Sequence, residues 1–125
     1  MSEDLSVIMG ELPSGFGGTL RYHMNRLNVN EEELSYRCHL SPQTLSKYIN
    51  DNGADKKYAN VVAVAKALYL HPVFMEDLIE KAGYKGKMNQ ATFFIKQLMW
   101  GHPDDSVEEW QQKINDAHVD VQLPC

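Results

Sequence analysis

The chain has 125 residues, 43% of them hydrophobic and 23% charged, the make-up of one globular domain large enough to bury a core. No apolar run approaches a membrane span, and the first residues lack the basic-then-apolar layout of a secretory signal, so a cytoplasmic protein with no membrane partner is expected. The formal net charge of −5 argues against a general grip on nucleic-acid phosphates.

That charge is unevenly spread. From 16 to 87 there are 10 Lys/Arg against 8 Asp/Glu, a balance of +2, whereas 1–15 and 88–125 together hold 2 against 9, a balance of −7. The asymmetry divides the chain into an acidic N-terminal arm (1–15), a mildly basic body (16–83) and a C-terminal extension (84–125).

The arm carries Glu3, Asp4, Glu11, Pro13, Ser14 and Gly15 and reads as flexible, with Leu5, Val7, Ile8 and Met9 available to dock on the body. Phe16 to Leu27 fits a first helix, with Phe16, Leu20, His23/Met24 and Leu27 on one face. Asn28 closes it, and Val29 can staple onto the next helix. His23 on that stripe reads as a core or boundary histidine rather than a metal ligand.

Glu31 to Asn50, EEELSYRCHLSPQTLSKYIN, reads as two short helices joined by a tight turn at Cys38-His39-Leu40-Ser41. Asn30 is a good N-cap, and Glu33 stands where it can complete a capping box. Ser41 is the next N-cap, with Pro42 at the first helical position, where a missing N–H costs nothing. Leu34, Cys38, Leu40, Leu45, Tyr48 and Ile49 have the spacing to pack two crossed helices on a third.

Asn52 to Lys57 is a polar, glycine-containing loop. Tyr58 to Leu70 is the most apolar helical segment and the expected centre of the core. Pro72 opens a further helix through about Ala82, which Gly83 stops. After a short basic linker, Tyr84 to Lys87, apolar residues recur at helical spacing from Gln90 to Trp100. Gly101-His102-Pro103 breaks that helix, and Ser106 with Glu109 forms a capping box for a last one through about Ala117, with Val107, Trp110 and Ile114 inward. The tail from Val119 is too short to assign. The periodicities predict an all-α protein of five helices plus about two C-terminal ones. Cys38 on a core position and Cys125 at the last residue give no reason to expect a disulfide.

In three ordered segments, Leu34 to Ser41, Thr44 to Tyr48 and Val64 to Leu68, the chain resembles the lambda-repressor-like (Cro/cI, XRE) helix-turn-helix family. The resemblance runs from about Phe16 to Gly83, and the C-terminal helical pair resembles an extension found in some members. It implies a DNA-binding transcriptional regulator whose recognition helix, about 42–50, enters the major groove. Gln43, Thr44, Ser46 and Lys47 would contact bases, Gln43 with amide geometry suited to adenine and Lys47 able to donate to guanine or phosphate. Ser41, Lys56 and Lys57 would contact the DNA backbone. A homodimer is implied, since one recognition helix reads too few base pairs, and 88–117 is the candidate interface.

The chain departs from the family at Glu31, where a glutamine usually braces a phosphate, and at Pro42, where a polar residue often faces DNA. Met24 stands where an arginine is usual, and Tyr69 where a glycine is. A second class of function is a protein-interaction module or antagonist of another regulator, with the helix-turn-helix kept and DNA binding lost. Exposed tryptophans would favour it. An enzyme finds little support: the sequence has no Gly-rich phosphate loop, no H-E-x-x-H and no cysteine pair at metal spacing, so no metal and no cofactor are expected.

Overall fold

A computed structural model of the protein describes residues 4–50 and 55–124, so the first half of the predicted 52–57 loop, and Cys125, lie outside the described residues. Among those residues are eight α-helices and no strand: α1 Leu5–Glu11, α2 Phe16–Leu27, α3 Glu31–Cys38, α4 Pro42–Asn50, α5 Tyr58–Ala67, α6 Pro72–Ile79, α7 Gln90–Gly101 and α8 Val107–Asp116. The all-α class expected from the periodicities is what forms.

Within the N-terminal segment, expected as a flexible arm whose apolar residues can dock on the body, Leu5–Glu11 is helical. The Asp4 carboxylate caps it, accepting from the Ser6 and Val7 amides at 3.1 and 3.3 Å. Leu5, Ile8, Met9 and Leu12 recur at the spacing of one helical face and rest half-buried on the core. Tyr22 donates to Glu11 at 2.7 Å, and the Lys81 ammonium donates to the Pro13 carbonyl at 2.9 Å.

The central unit is α2 to α6. Helix α4 packs on α2 and α3, α5 on α3 and α6, and α6 also touches α2. Every residue from Val61 to Leu68 is buried, so α5 beyond its half-buried first turn is enclosed on all sides, as its sequence predicts. Three residues with positive φ end the helices: Asn28 (56°), His39 (63°) and Tyr69 (51°). Asn and His tolerate this region. An aromatic side chain is less at ease there, at a cost of order 1–2 kcal/mol. Tyr69 thus keeps the conformation a glycine would supply at this turn, and its ring lies 4.6 Å from the Lys66 ammonium.

Two local expectations are corrected. Asn30 accepts from the Glu33 amide at 2.8 Å, but the Glu33 carboxylate turns to Arg37 Nε at 3.0 Å, so the capping box is only half made. The helix begun at Pro72 does not run as α-helix to Ala82. It passes at Glu80 into a π turn through Tyr84, within which Gly83 takes φ 102°.

Helices α7 and α8 pack on α6 and α5 respectively. Both capping boxes at their starts are complete, Asn89 with Thr92 and Ser106 with Glu109. The joint between α8 and the central unit is a buried lysine. Lys66 is fully enclosed, donates to the Pro103 carbonyl and lies 4.9 Å from the ring of Trp110. Burial pulls its pKa down to about 8, with Asp105, Asp104 and Glu109 opposing that shift. Trp110, also fully buried, donates from Nε1 to the His102 carbonyl at 3.0 Å. Gln111 then ties back the unassigned tail, accepting from the Leu123 amide at 2.7 Å and donating to the Val121 carbonyl at 3.2 Å.

Candidate nucleic-acid interface

Helix α4 shows how a short segment acquires two faces. The Ser41 hydroxyl accepts from the Thr44 amide at 3.2 Å and donates to Thr44 Oγ1 at 3.0 Å, which caps the first turn before Pro42 begins the helix. Leu45, Tyr48 and Ile49 then fall on one side and are buried, with Tyr48 edge-on to Phe16 of α2 at 6.2 Å. Gln43 and Lys47, one turn apart, are exposed on the other side, and Thr44 and Ser46 flank them half-buried. The four residues expected at bases therefore lie on one short helix, two of them fully presented.

The approach of α3 to α4 is held from below. His39 in the left-handed conformation turns the chain, and the Ser35 hydroxyl donates to the Leu40 carbonyl at 2.6 Å. Arg37 anchors the end of α3 by donating from Nη1 to the Ala67 carbonyl at 3.2 Å. His39 also pairs with Glu108 in the first turn of α8, so the α3–α4 turn touches the C-terminal extension directly. That pairing holds the Glu108 carboxyl below its ordinary range. A cleft of about 640 Å³, walled by Tyr36, Tyr69 and Arg37, opens beside this contact.

The expected backbone-contacting residues are dispersed. Ser41 has its hydroxyl engaged in the cap. Lys57 is exposed at the N-cap of α5, whereas Lys56 is half-buried with its ammonium 5.0 Å from the centre of the Phe16 ring. Sequence reasoning missed a further cation. Arg21 of α2 donates from Nη2 to Asn50 Oδ1 at 3.1 Å, and Asn50 donates in turn to Ser46 Oγ at 3.3 Å. This chain of bonds sets an exposed guanidinium beside the C-terminal end of α4. The only signal in the sequence was one arginine on the outer face of a helix, which reads as a solvated charge.

Acidic groups lie nearby in sequence. Glu31 and Glu32 are exposed in the first turn of α3, where they favour the helix dipole, and Glu33 is engaged by Arg37. The five histidines belong to separate segments: His23 within α2, His39 in the α3–α4 turn, His71 capping α6, His102 after α7 and His118 after α8. No protein-family model matches the chain, and neither does any curated protein or solved structure.

Proposed function

We propose that residues 16–83 form a lambda-repressor-like helix-turn-helix, and that the protein is a sequence-specific DNA-binding transcriptional regulator with α4 as its recognition helix. The observation that supports this most is the division of α4: Leu45, Tyr48 and Ile49 are held in the core while Gln43 and Lys47 stand exposed at its N-terminal half. In this reading Gln43 is the preferred base reader and Lys47 serves guanine or phosphate. Thr44 and Ser46 are the flanking contacts, and Ser41, Lys56 and Lys57 face the backbone. Arg21 joins them, since its remaining N–H groups lie beside α4 and are suited to a phosphate. The working form is a homodimer, because two half-sites give the specificity that one helix lacks.

Glu31 gives this reading a sharp test. Its exposed carboxylate stands where the resembled family places a phosphate-bracing glutamine. Glu31→Gln is therefore expected to tighten binding to a mixed-sequence duplex by roughly fivefold, the ~1 kcal/mol carried by one close charge pair in water. Lys47→Ala is expected to weaken it. Fluorescence anisotropy against a salt series measures both, with the logarithm of affinity falling linearly as salt rises. Folded protein that binds no duplex at low salt, with or without Glu31, contradicts the proposal.

One observation favours the second reading, a protein-interaction module. Phe93 and Trp100, on one helical face of α7, are 56% and 54% exposed, two large apolar side chains presented together. The same exposed face also fits the DNA-binding reading, where it joins two copies of the regulator.

A further inference from the structure

Helix α7 is apolar on two opposite sides. Ile95 and Leu98 are buried against the body, and Met99 with them. At 100° per residue, Phe93 and Trp100 lie about 20° apart on the helix surface and roughly opposite Ile95 and Leu98. Both rings stand out from the body, flanked by the exposed Lys96 and Gln97. Trp100 is braced by His71, whose ring meets it edge-on at 5.9 Å, so its exposure is a held position.

The spacing of this face matches its own inverse. Phe93 and Trp100 are equidistant from a point between Lys96 and Gln97, each about 5 Å along the axis from it. A two-fold axis through that point, perpendicular to α7, sets Phe93 of one protomer level with Trp100 of its partner, twice over. The same operation brings the two Gln97 side chains together along one edge, where each amide both donates and accepts. Along the other edge it brings the two Lys96 ammonium groups together. That edge would repel, but each Lys96 already lies 3.3 Å from Glu76 of α6, so the four charges sum to zero. The helix also has no acidic residue in its first turn and no basic residue in its last, which leaves its dipole uncompensated. An antiparallel neighbour supplies the missing complement at both ends, and a parallel one would oppose like ends.

We infer that the outer face of α7 is the docking site for a second copy of this chain, paired antiparallel with Phe93 against the partner's Trp100. The inference deepens the homodimer proposed above. It stands apart from DNA binding, because its readout is mass in solution, and neither Gln43 nor Lys47 takes part.

The test uses the full chain in sedimentation equilibrium at tens of micromolar. The native protein is expected at twice its 14.3 kDa mass, and Phe93→Glu as a monomer with unchanged helical circular dichroism. Glu76→Lys leaves both rings in place but sets four like charges along one edge, and it is expected to dissociate the dimer in a salt-dependent way. Orientation is read from proteins with one exposed cysteine, in a Cys125→Ser background whose remaining native cysteine, Cys38, is buried. A mixture of Phe93→Cys and Trp100→Cys is expected to cross-link between protomers, and Phe93→Cys alone is not, since its two copies would lie about 10 Å apart along the axis. A native monomer, a dimer that Phe93→Glu leaves intact, or self-cross-linking of Phe93→Cys overturns the inference.

Discussion

Trp110→Ala is expected to lower the stability of the protein by about 3–5 kcal/mol, as removal of a fully buried large aromatic side chain does. Trp110 has no exposed surface, so alanine leaves a cavity, and it removes the shorter of two hydrogen bonds to the His102 carbonyl, which keeps the Asp105 amide at 3.4 Å. It also removes the ring beside Lys66. That ammonium is enclosed and retains the Pro103 carbonyl and the Tyr69 ring. Its charge, already disfavoured by burial, then costs more. Because a domain of this size is stable by about 5–15 kcal/mol, the loss is a large share of the whole. Urea unfolding followed by circular dichroism measures it. A loss under about 1 kcal/mol would mean that α8 is not part of the same cooperative core.

The second large effect is acid sensitivity centred on His23. The imidazole is fully buried, its Nδ1 accepts from Arg26 Nε at 2.9 Å, and its ring lies 5.2 Å from that of Phe74. Since Nδ1 faces a donor, the proton of the neutral ring sits on Nε2, which finds no acceptor among the described residues. A second proton would have to go onto Nδ1, against the arginine. Burial first, then the charges of Arg26 and Lys81, pull the pKa from 6.5 down to about 4.

The unfolded chain therefore binds more protons than the folded one between pH 6.5 and pH 4, and stability falls as pH drops through that window. The single group accounts for about 3 kcal/mol of loss by pH 4. His23→Leu has no proton to bind at this site, and its stability is expected to lose that part of the slope while keeping the part due to carboxylates. Urea midpoints at about pH 7, 6, 5 and 4 for both proteins measure the difference. Parallel profiles would mean that His23 binds its proton as readily in the native state as in the unfolded chain.

The fold was most legible where local chemistry and periodicity agree. Ser41-Pro42 starts α4, Ser106 with Glu109 starts α8, and Asn28 ends α2, all by interactions within a few residues. The buried side of α4 was legible for the same reason, with Leu45, Tyr48 and Ile49 one turn apart. Helix α7 was only half legible. Phe93, Phe94, Ile95, Leu98, Met99 and Trp100 are so crowded with apolar groups that periodicity finds a helix but cannot choose its inner face. In the arm, acidic and turn-forming residues masked the Leu5, Ile8, Met9, Leu12 stripe that makes α1 a helix.

What the sequence hides are encounters between distant segments. Lys66 reads as one more solvated lysine until α8 closes over it. Arg21 gains its place beside α4 only through Asn50, 29 residues further on. The positive φ of Tyr69 breaks the preference of its residue type, and only the packed turn holds it there.

The central claim, that α4 reads DNA sequence, is tested most directly by selection from a random duplex pool at about physiological salt, with Gln43→Ala/Lys47→Ala alongside. Salt is set there because weak phosphate binding fades steeply with ionic strength. An enriched motif with two-fold character, lost by the folded double variant, is the expected result. No enrichment by folded native protein, or the same motif enriched by both proteins, would contradict α4 as the reader.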